Sequence, residues 1–285
     1  MPMKSPTKIF IILLSPLLMY CQEKVSAEEM IQTIITETEA ATVNNTVDIV
    51  KEGDPETTVK GVVTCMFATM DVLRKAVAKN CNLIIAHEPL YYNHLDNTDK
   101  FQGDPVFEEK KKFILDNGLV VWRFHDYVHR IRPDAIMSGI IERLGWQENI
   151  QDGNYYKFEF PQTTLNELLI QLKKTFPDNA FHVVGNKDMP LTNVAFVPGA
   201  SGTDAHISQL RKNDVDVVIA GEVPQWETYE YVRDAVLQGR NKAIVFLGHI
   251  NSEEAGMEFA AKWMRDFVTD IPVEFIECES SYFTY

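Results

Sequence analysis

Histidine and carboxylate side chains follow several apolar runs that are typical of buried strands. The residues concerned are His87, Glu88, His125, His129, Glu222, His249 and Glu253. In open α/β sheets ligands bind beyond the carboxyl ends of strands, so these side chains would meet in one crevice if their strands are neighbours. Imidazole together with carboxylate suits zinc, iron or manganese, and the lack of cysteine in the set argues against a closed structural zinc site. The pattern therefore predicts a metal site at the strand ends.

Each of these histidines has a structural alternative, because a single histidine after a strand is usually a surface or capping residue. His249 and Glu253, four residues apart at a helix start, could likewise form a solvated helix face. The joint occurrence favours a metal site, since four of the seven histidines lie within one turn of a strand end. His94, His182 and His206 lack this context and are expected to be a surface residue, a structural residue and an exposed helix residue, respectively.

Apolar runs that alternate with amphipathic stretches predict an α/β fold. The Asp104-Pro105 pair predicts a helix start, with Asp as N-cap and Pro at the first helical position. Thr164 followed by Glu167 is a capping-box pattern and predicts a helix over 163–176. Further caps are expected at Asp71 for a helix through Ala78, and at Asn251 or Ser252 for a long helix over 251–270.

The composition is that of an acidic globular protein. The 285 residues include 27 Lys plus Arg and 41 Asp plus Glu, a formal net charge of −14, and 45% are hydrophobic. Disordered chains are poorer in apolar residues, and nucleic-acid binding depends on cationic contacts with phosphates. We therefore expect a folded protein without a nucleic-acid partner, whereas a cation is a compatible partner. Four cysteines are too few for a disulfide framework.

The first 27 residues are predicted to be a signal peptide. Two lysines precede an apolar run over 9–20, which has the length of a signal h-region and is short for a membrane span. Val25-Ser26-Ala27 resembles a cleavage site before Glu28; alternatively, residues 17–21 resemble a loose lipobox whose Cys21 would be lipidated. An uncleaved hydrophobic N-terminus is the third possibility. We expect an exported protein, periplasmic, extracellular or lipid-anchored, with no membrane contact beyond the signal or the lipid.

The strand-end motifs resemble those of the Nif-three-like proteins, dinuclear-metal proteins often called GTP cyclohydrolase I type 2 homologues. The resemblance covers roughly residues 28–285. Its marks are the segments LIIAHEPLYY, FHDYVH, VAFVPGASG, VVIAGE and FLGHINSE. The last is the most specific, because Gly248-His249-x-x-Ser252-Glu253 closely matches the family's C-terminal metal motif. The family pattern also implies a His-His pair after the second strand and a His-x-x-x-Asp after the next.

The chain departs from this family pattern at two positions. His87-Glu88 stands where the family has His-His, and His129 stands where it has Asp. Because decay of a site more often removes ligands than exchanges them, we expect a retained site for two divalent ions (zinc, manganese or iron), with one ion or none as the alternative. Three imidazoles, two carboxylates and a ligand charge of −2 are kept at the positions that the resemblance implies: His87, Glu88, His129, His249 and Glu253.

The resemblance also suggests roles for other residues. One carboxylate, Glu253 or Glu88, could bridge two ions about 3.5–4 Å apart, as in two-metal hydrolases. His125 is expected to orient a ligand or contact the substrate. Glu222 is expected to act as a base or hold a water, with helix capping as the structural alternative. The Gly-rich loop 198–202 precedes a helix whose amides could bind an anion, or it is a plain turn.

The function implied by the resemblance is that of a metal-dependent hydrolase acting on a small-molecule or phosphoester substrate. An exported protein would rarely meet GTP, so GTP cyclohydrolase activity is discounted, and a family does not fix a function. The alternative is a non-enzymatic metal-binding scaffold, since the family implies a ring-shaped homohexamer. The His125-Asp126 pair also resembles the His-Asp phosphohydrolases, but their motifs lie on helices of an all-α fold and this pair follows a strand.

We expect two interleaved α/β lobes with the metal site in the cleft between them. The first lobe would take residues 28–148 together with 243–285, and the second would take 149–242. The C-terminal segment is assigned to the first lobe because His249 and Glu253 have to return to the other predicted ligands.

Overall fold

The computed structural model describes residues 24–280 and residue 282, so most of the predicted signal segment, Cys21 included, lies outside the described residues. The described part of the chain forms eight α-helices and eleven strands. The helices are α1 (Ala27–Glu37), α2 (Met70–Ala78), α3 (Pro105–Asp116), α4 (Ala135–Leu144), α5 (Leu165–Thr175), α6 (Thr203–Leu210), α7 (Gln225–Leu237) and α8 (His249–Met264). The strands are β1 (Val50–Glu52), β2 (Val62–Cys65), β3 (Leu83–Ala86), β4 (Val120–Arg123), β5 (Ile150–Gln151), β6 (Asn154–Thr164), β7 (His182–Val184), β8 (Pro190–Val197), β9 (Val217–Ala220), β10 (Ala243–Phe246) and β11 (Val273–Phe275).

Two sheets organise these strands. The first has the order β1-β4-β3-β2-β11, and the second has the order β5-β6-β8-β9-β10-β7. Strands β4, β3, β2 and β11 of the first sheet run parallel, and β1 pairs antiparallel with β4 at the other edge. In the second sheet β8, β9 and β10 run parallel, with antiparallel strands on either side of them. The short strands β2, β3, β4, β9 and β10 are buried at every position because helices cover both faces, as is usual for parallel sheets. The predicted α/β class is confirmed.

Helices α4 and α8 form the layer between the two sheets. The outer face of the first sheet is covered by α2 and α3, and the outer face of the second by α6 and α7. The inner faces pack on α8 and on opposite sides of α4, so the two inner cores meet along this helix pair. A Cβ at Gly139 in α4 would lie 2.1 Å from the carbonyl oxygen of Ala255, and one at Gly256 in α8 would lie 2.4 Å from Cα of Ile136. Both glycines are therefore required for the close approach of α4 and α8.

The capping signals of the sequence were only partly sufficient to place the helix starts. Asp104 caps α3, and Thr164 with Glu167 forms the predicted capping box of α5. Helix α2 begins two residues earlier than expected, because Thr69, not Asp71, is the N-cap and accepts the capping hydrogen bond. Helix α8 begins at His249 after Gly248, so the expected caps at Asn251 and Ser252 are wrong.

The lobe boundary expected at residue 243 differs from the observed one. Strand β10 belongs to the second sheet, where Ile244 pairs in parallel with Val218 of β9. The chain returns to the first lobe only along α8, and the Thr64 hydroxyl of β2 donates to the carbonyl of Met257 at 2.8 Å. Strand β11 then joins the first sheet beside β2, as the assignment of the C-terminal segment required.

The first described residues are integral to the fold. Ser26 and Glu29 form a capping box at the start of α1, and Ala27 is buried. The carbonyl of Val25 accepts a hydrogen bond from the amide of Val59 at 2.9 Å. A cut before Glu28 would therefore remove a helix cap and a backbone pairing that the fold uses. Among the described residues, no helix is both long enough and apolar enough to span a membrane.

We expect a chain that starts at Glu28 to be less stable than one that starts at Gln22. Loss of the Ser26 cap alone costs about 1 kcal/mol, and the lost pairing of Val25 adds to it. The measurement is urea unfolding of both chains, with Ser26→Ala as an intermediate case and Ser208→Ala on an exposed helix as the control. Equal unfolding free energies for the two chains would show that residues 22–27 contribute nothing.

Candidate metal centre

His87 follows β3, and its imidazole is fully buried. Its Nδ1 lies 3.2 Å from the carbonyl oxygen of Phe124, and because a carbonyl only accepts, Nδ1 carries the proton of the neutral ring. The other nitrogen, Nε2, is buried without a hydrogen-bond partner and lies 3.5 Å from Oε2 of Glu253. In this neutral form the Nε2 lone pair and the Glu253 carboxylate face each other, and both are acceptors. A cation between them would satisfy both.

Three further imidazoles are oriented in the same way, each with Nδ1 facing a carboxylate oxygen. The pairs are His125 with Asp126 at 3.1 Å, His129 with Asp134 at 3.0 Å, and His249 with Glu222 at 3.1 Å. Carboxylates accept, so in the neutral rings of His125 and His129 Nδ1 holds the proton and the Nε2 lone pair is left available, the arrangement that second partners impose on metal-binding histidines. His249 differs, because its Nε2 also faces two carboxylates. His87 stacks on His125 with ring centroids 4.7 Å apart, and His129 lies 5.3 Å from His87.

Two buried carboxylates complete the cluster. Oε1 of Glu88 and Oε2 of Glu253 each lie 3.1 Å from Nε2 of His249. The second oxygen of Glu88 accepts from the guanidinium of Arg123 at 3.3 Å, and Arg123, itself only 1% exposed, also donates from Nε to the carbonyl of His87. Arg123 therefore fixes the segment His87-Glu88 and balances one of the two negative charges.

These donors form two overlapping groups whose ligand atoms lie within 4.8 Å of one another. One group is His87, His125 and His129; the other is His87, Glu88 and Glu253. The buried His/Glu cluster could hold a metal ion, and the unpartnered Nε2 of His87 is the observation that fits one. Since a neutral imidazole has a single lone pair, His87 can serve only one ion at a time.

The charges of the metal-free cluster are set by mutual contacts. Burial alone would lower the pKa of His249, but its hydrogen bonds to Glu222, Glu253 and Glu88 raise it to about 12. Burial would raise the pKa of Glu253, yet its contacts with His249 and His87 hold it well below the usual range. Burial and the neighbouring His87 lower the pKa of His125 to about 4. A positive imidazole ring thus stands among three carboxylates.

The five predicted ligands lie together, and the structure adds His125 to their group of candidate donors. His125 was expected to orient a ligand or contact the substrate; its Nε2 lies 3.9 Å from Oε1 of Glu88, within the cluster. Glu222 does not cap α7, which begins after Pro224. Its carboxylate instead accepts from Nδ1 of His249 at 3.1 Å.

The Gly-rich loop 198–202 packs on the start of α8. The amide of Gly199 donates to Oγ of Ser252 at 3.0 Å, and the Gly199 carbonyl accepts from the amide of Glu222. A Cβ at Gly199 would lie 2.4 Å from Oε1 of Glu253. The Gly199 amide is therefore already used within the protein, and the loop closes one side of the cluster.

Some positions differ from the sequence interpretation. His206 was expected to be exposed on a helix, but it is fully buried beside Phe246, because α6 packs it against the second sheet. His182 was expected to be structural, yet it is exposed on the edge strand β7. Sequence reasoning also missed Arg123 and Asp134. An arginine inside the otherwise apolar run 119–124 was a usable signal, since a buried arginine requires a partner.

A cleft of about 1220 Å³ opens beside His249 and Glu222. Its walls include the aromatic rings of Phe67, Phe176, Tyr229, Phe246 and Tyr282. Most of the titratable residues that line the cleft are acidic. Its single lysine, Lys75, is paired with Asp71 and with Glu279. The acidic residues are Asp178, Glu222, Glu254, Glu277 and Glu279.

The protein families, sequences and solved structures that resemble this chain all point to the same family. A model of the Duf34/NIF3 (NGG1p interacting factor 3) family matches residues 23–281. A GTP cyclohydrolase 1 type 2 homologue of Clostridium acetobutylicum is 28% identical over 212 residues, which cover 70% of this chain and 75% of that protein. A Bacillus cereus protein related to NIF3 superimposes with a TM-score of 0.73 at 14% identity, over 93% of this chain and all of that one. A hypothetical protein of Staphylococcus aureus gives a TM-score of 0.72 at 15% identity, over 92% and 100% of the two chains.

Zinc binding to the metal-free protein at pH 7 is expected to release at least about one proton, because His249 must lose its proton to become a ligand. Isothermal titration calorimetry in two buffers of different ionisation enthalpy measures this release. His249→Gln should remove it, while His94→Gln, an exposed histidine outside the cluster, should leave it unchanged. A binding heat that does not depend on the buffer would contradict the assigned charge of His249.

Proposed function

The chain belongs to the Duf34/NIF3 family, and on that premise we propose that it is a metal-dependent hydrolase with two divalent ions in the cleft between its lobes. The observation that carries the proposal is the buried Nε2 of His87, which has no hydrogen-bond partner among the described residues and lies 3.5 Å from Oε2 of Glu253. Four imidazoles and two carboxylates suffice for two ions with three protein ligands each, and such sites keep open positions for water and substrate. The donor set suits zinc, manganese or iron.

The ligands divide between the two ions according to their contacts. Glu88 and Glu253 both touch His249 and would hold one ion with it, whereas His125 and His129 would hold the other. The Nε2 of His87 lies between the groups and completes one of them. The two ions would supply Lewis-acid polarisation of the scissile group and activation of water. In this proposal Glu222, which borders the cleft and lies 3.1 Å from Nδ1 of His249, would accept a proton from the attacking water.

The charge of the cleft bears on the substrate. The acidic wall residues and the paired Lys75 disfavour a polyanion such as a nucleoside triphosphate, which the acidic net charge of the chain would also repel. The aromatic rings offer stacking area for an organic molecule. Of the two substrate classes suggested by the sequence, a neutral or cationic small molecule fits this cleft better than a phosphoester. GTP, which carries a triphosphate, is therefore a poor substrate candidate, although the relatives are named GTP cyclohydrolase 1 type 2 homologues.

We further propose that the protein is exported and assembles into a homo-oligomer. The lysines and apolar run of the first 20 residues support export, by cleavage or through a lipid on Cys21. The homo-oligomer that we propose is the hexamer that the family resemblance implies. A non-enzymatic metal-binding scaffold is the competing function, and turnover decides between the two.

Metal content and turnover should depend on the same residues. His249→Ala is expected to weaken zinc binding by more than the roughly 10–100-fold that loss of an outer partner costs, and to abolish metal-dependent turnover. Elemental analysis and a panel of amide, ester and cyclic amide substrates with added zinc, manganese or iron provide the measurement. His94→Ala should behave as wild type. Metal binding without turnover of any substrate would favour the scaffold.

We expect the charge of the substrate to affect KM more than kcat. For matched substrates that share a scissile group, the KM is expected to be at least about tenfold lower for a cationic than for an anionic substituent, which corresponds to about 1.4 kcal/mol. Glu279→Gln should narrow this difference without changing kcat, since Glu279 lines the cleft away from the cluster and its side chain is 80% exposed. A lower KM for the anionic member would overturn the substrate class and leave the metal site untouched.

A further inference from the structure

The carboxylate of Asp134 is shared between a helix cap and a histidine of the cluster. Its Oδ1 accepts from the amides of Ile136 and Met137 at 2.9 and 3.1 Å, which caps α4. Its Oδ2 faces Nδ1 of His129 at 3.0 Å. Because the two amides require an oxygen at the first position, the carboxylate cannot turn without loss of the cap. The atom presented to His129 is therefore fixed by the start of α4.

A second donor reaches the same oxygen from the other lobe. The hydroxyl of Tyr156, on β6 of the second sheet, donates to Oδ2 of Asp134 at 2.7 Å. Tyr156 is 39% exposed, whereas its neighbour Tyr155 packs on the inner core of the second lobe. The Tyr156 side chain is thus absent from that core, and its hydroxyl donates to the carboxylate that faces His129.

We propose that Asp134 and Tyr156 are positioning residues for His129, which together fix its Nδ1–H form and aim its Nε2 into the cluster. The inference rests on the proposed metal site. Asp134 sets the tautomer because it can only accept, and Tyr156 restrains the Asp134 oxygen from the second sheet. His129 comes from the first lobe and Tyr156 from the second, so one ligand of the cluster depends on the alignment of both lobes.

Replacement of Asp134 by Asn separates capping from positioning. Asn is as good an N-cap as Asp, so its side-chain oxygen can keep the two amides while its NH2 group faces His129. A donor at that place requires Nδ1 of His129 to accept, which moves the ring proton to Nε2 and removes the lone pair from the cluster. Asp104→Asn is the matched control, because Asp104 caps α3 with the same two distances, 2.9 and 3.1 Å, as Asp134 caps α4.

The first measurement is the tautomer of His129, read from imidazole ¹H–¹⁵N correlation spectra of the metal-free full chain at alkaline pH. We expect the Nδ1–H form in wild type and in Asp104→Asn, and the Nε2–H form in Asp134→Asn. The second measurement is zinc affinity by competition with a chromophoric chelator. At the site that His129 serves, Asp134→Asn should bind zinc about 10–100-fold more weakly and Tyr156→Phe up to about tenfold more weakly, while Tyr155→Phe keeps the wild-type affinity.

Each outcome decides one part of the inference. An unchanged tautomer and unchanged zinc affinity in Asp134→Asn would overturn it, and equal affinities of Tyr156→Phe and Tyr155→Phe would remove Tyr156 from it. If the wild-type protein itself binds no zinc, the proposed function fails, and the tautomer of His129 in the metal-free chain still decides whether Asp134 positions the ring.

Discussion

The close contact between α4 and α8 determines how the two lobes meet. Gly139 and Gly256 let the helix backbones approach to distances that any Cβ would prevent. Helix α8 starts in the second lobe, directly after β10, and packs along its length against the first sheet. Its first turn carries His249 and Glu253, so this single packing distance places them opposite the donors that follow β3 and β4. Overpacking at either glycine would cost about 1–3 kcal/mol and would also displace the cluster.

The charges of the cluster are balanced within the protein in a way that suits an exchangeable cation. Glu88 stands where the family pattern has a histidine, and Arg123 neutralises one of its oxygens. His129 stands where that pattern has a carboxylate, and Asp134 supplies a carboxylate behind it. Arg123 thus offsets the charge of the carboxylate gained at Glu88, and Asp134 keeps a carboxylate near the position of His129. Without a metal, the protonated ring of His249 occupies the place of the positive charge.

The sequence predicted the class of fold and the identity of the clustered residues better than their exact placement. Local signals were reliable where the cause is local: Asp104 before Pro105, and Thr164 three residues before Glu167, both cap helices as expected. The lobe boundary was misplaced because it depends on pairing between strands that are distant in sequence: β10 pairs with β9 and so joins the second sheet. The inclusion of His125 in the cluster also depends on a contact that no spacing reveals, the stacking of its ring on His87.

The hydrogen bonds at Nδ1 of the four imidazoles also bear on where the metal would come from. These bonds are made by the protein's own residues, so the imidazoles are held by groups other than the metal, and metal binding does not have to be coupled to folding. Affinity at such nitrogen and oxygen sites follows the general order of the divalent metals and discriminates little by itself. The ion found in purified protein would then reflect the metal supply of the host compartment and growth medium.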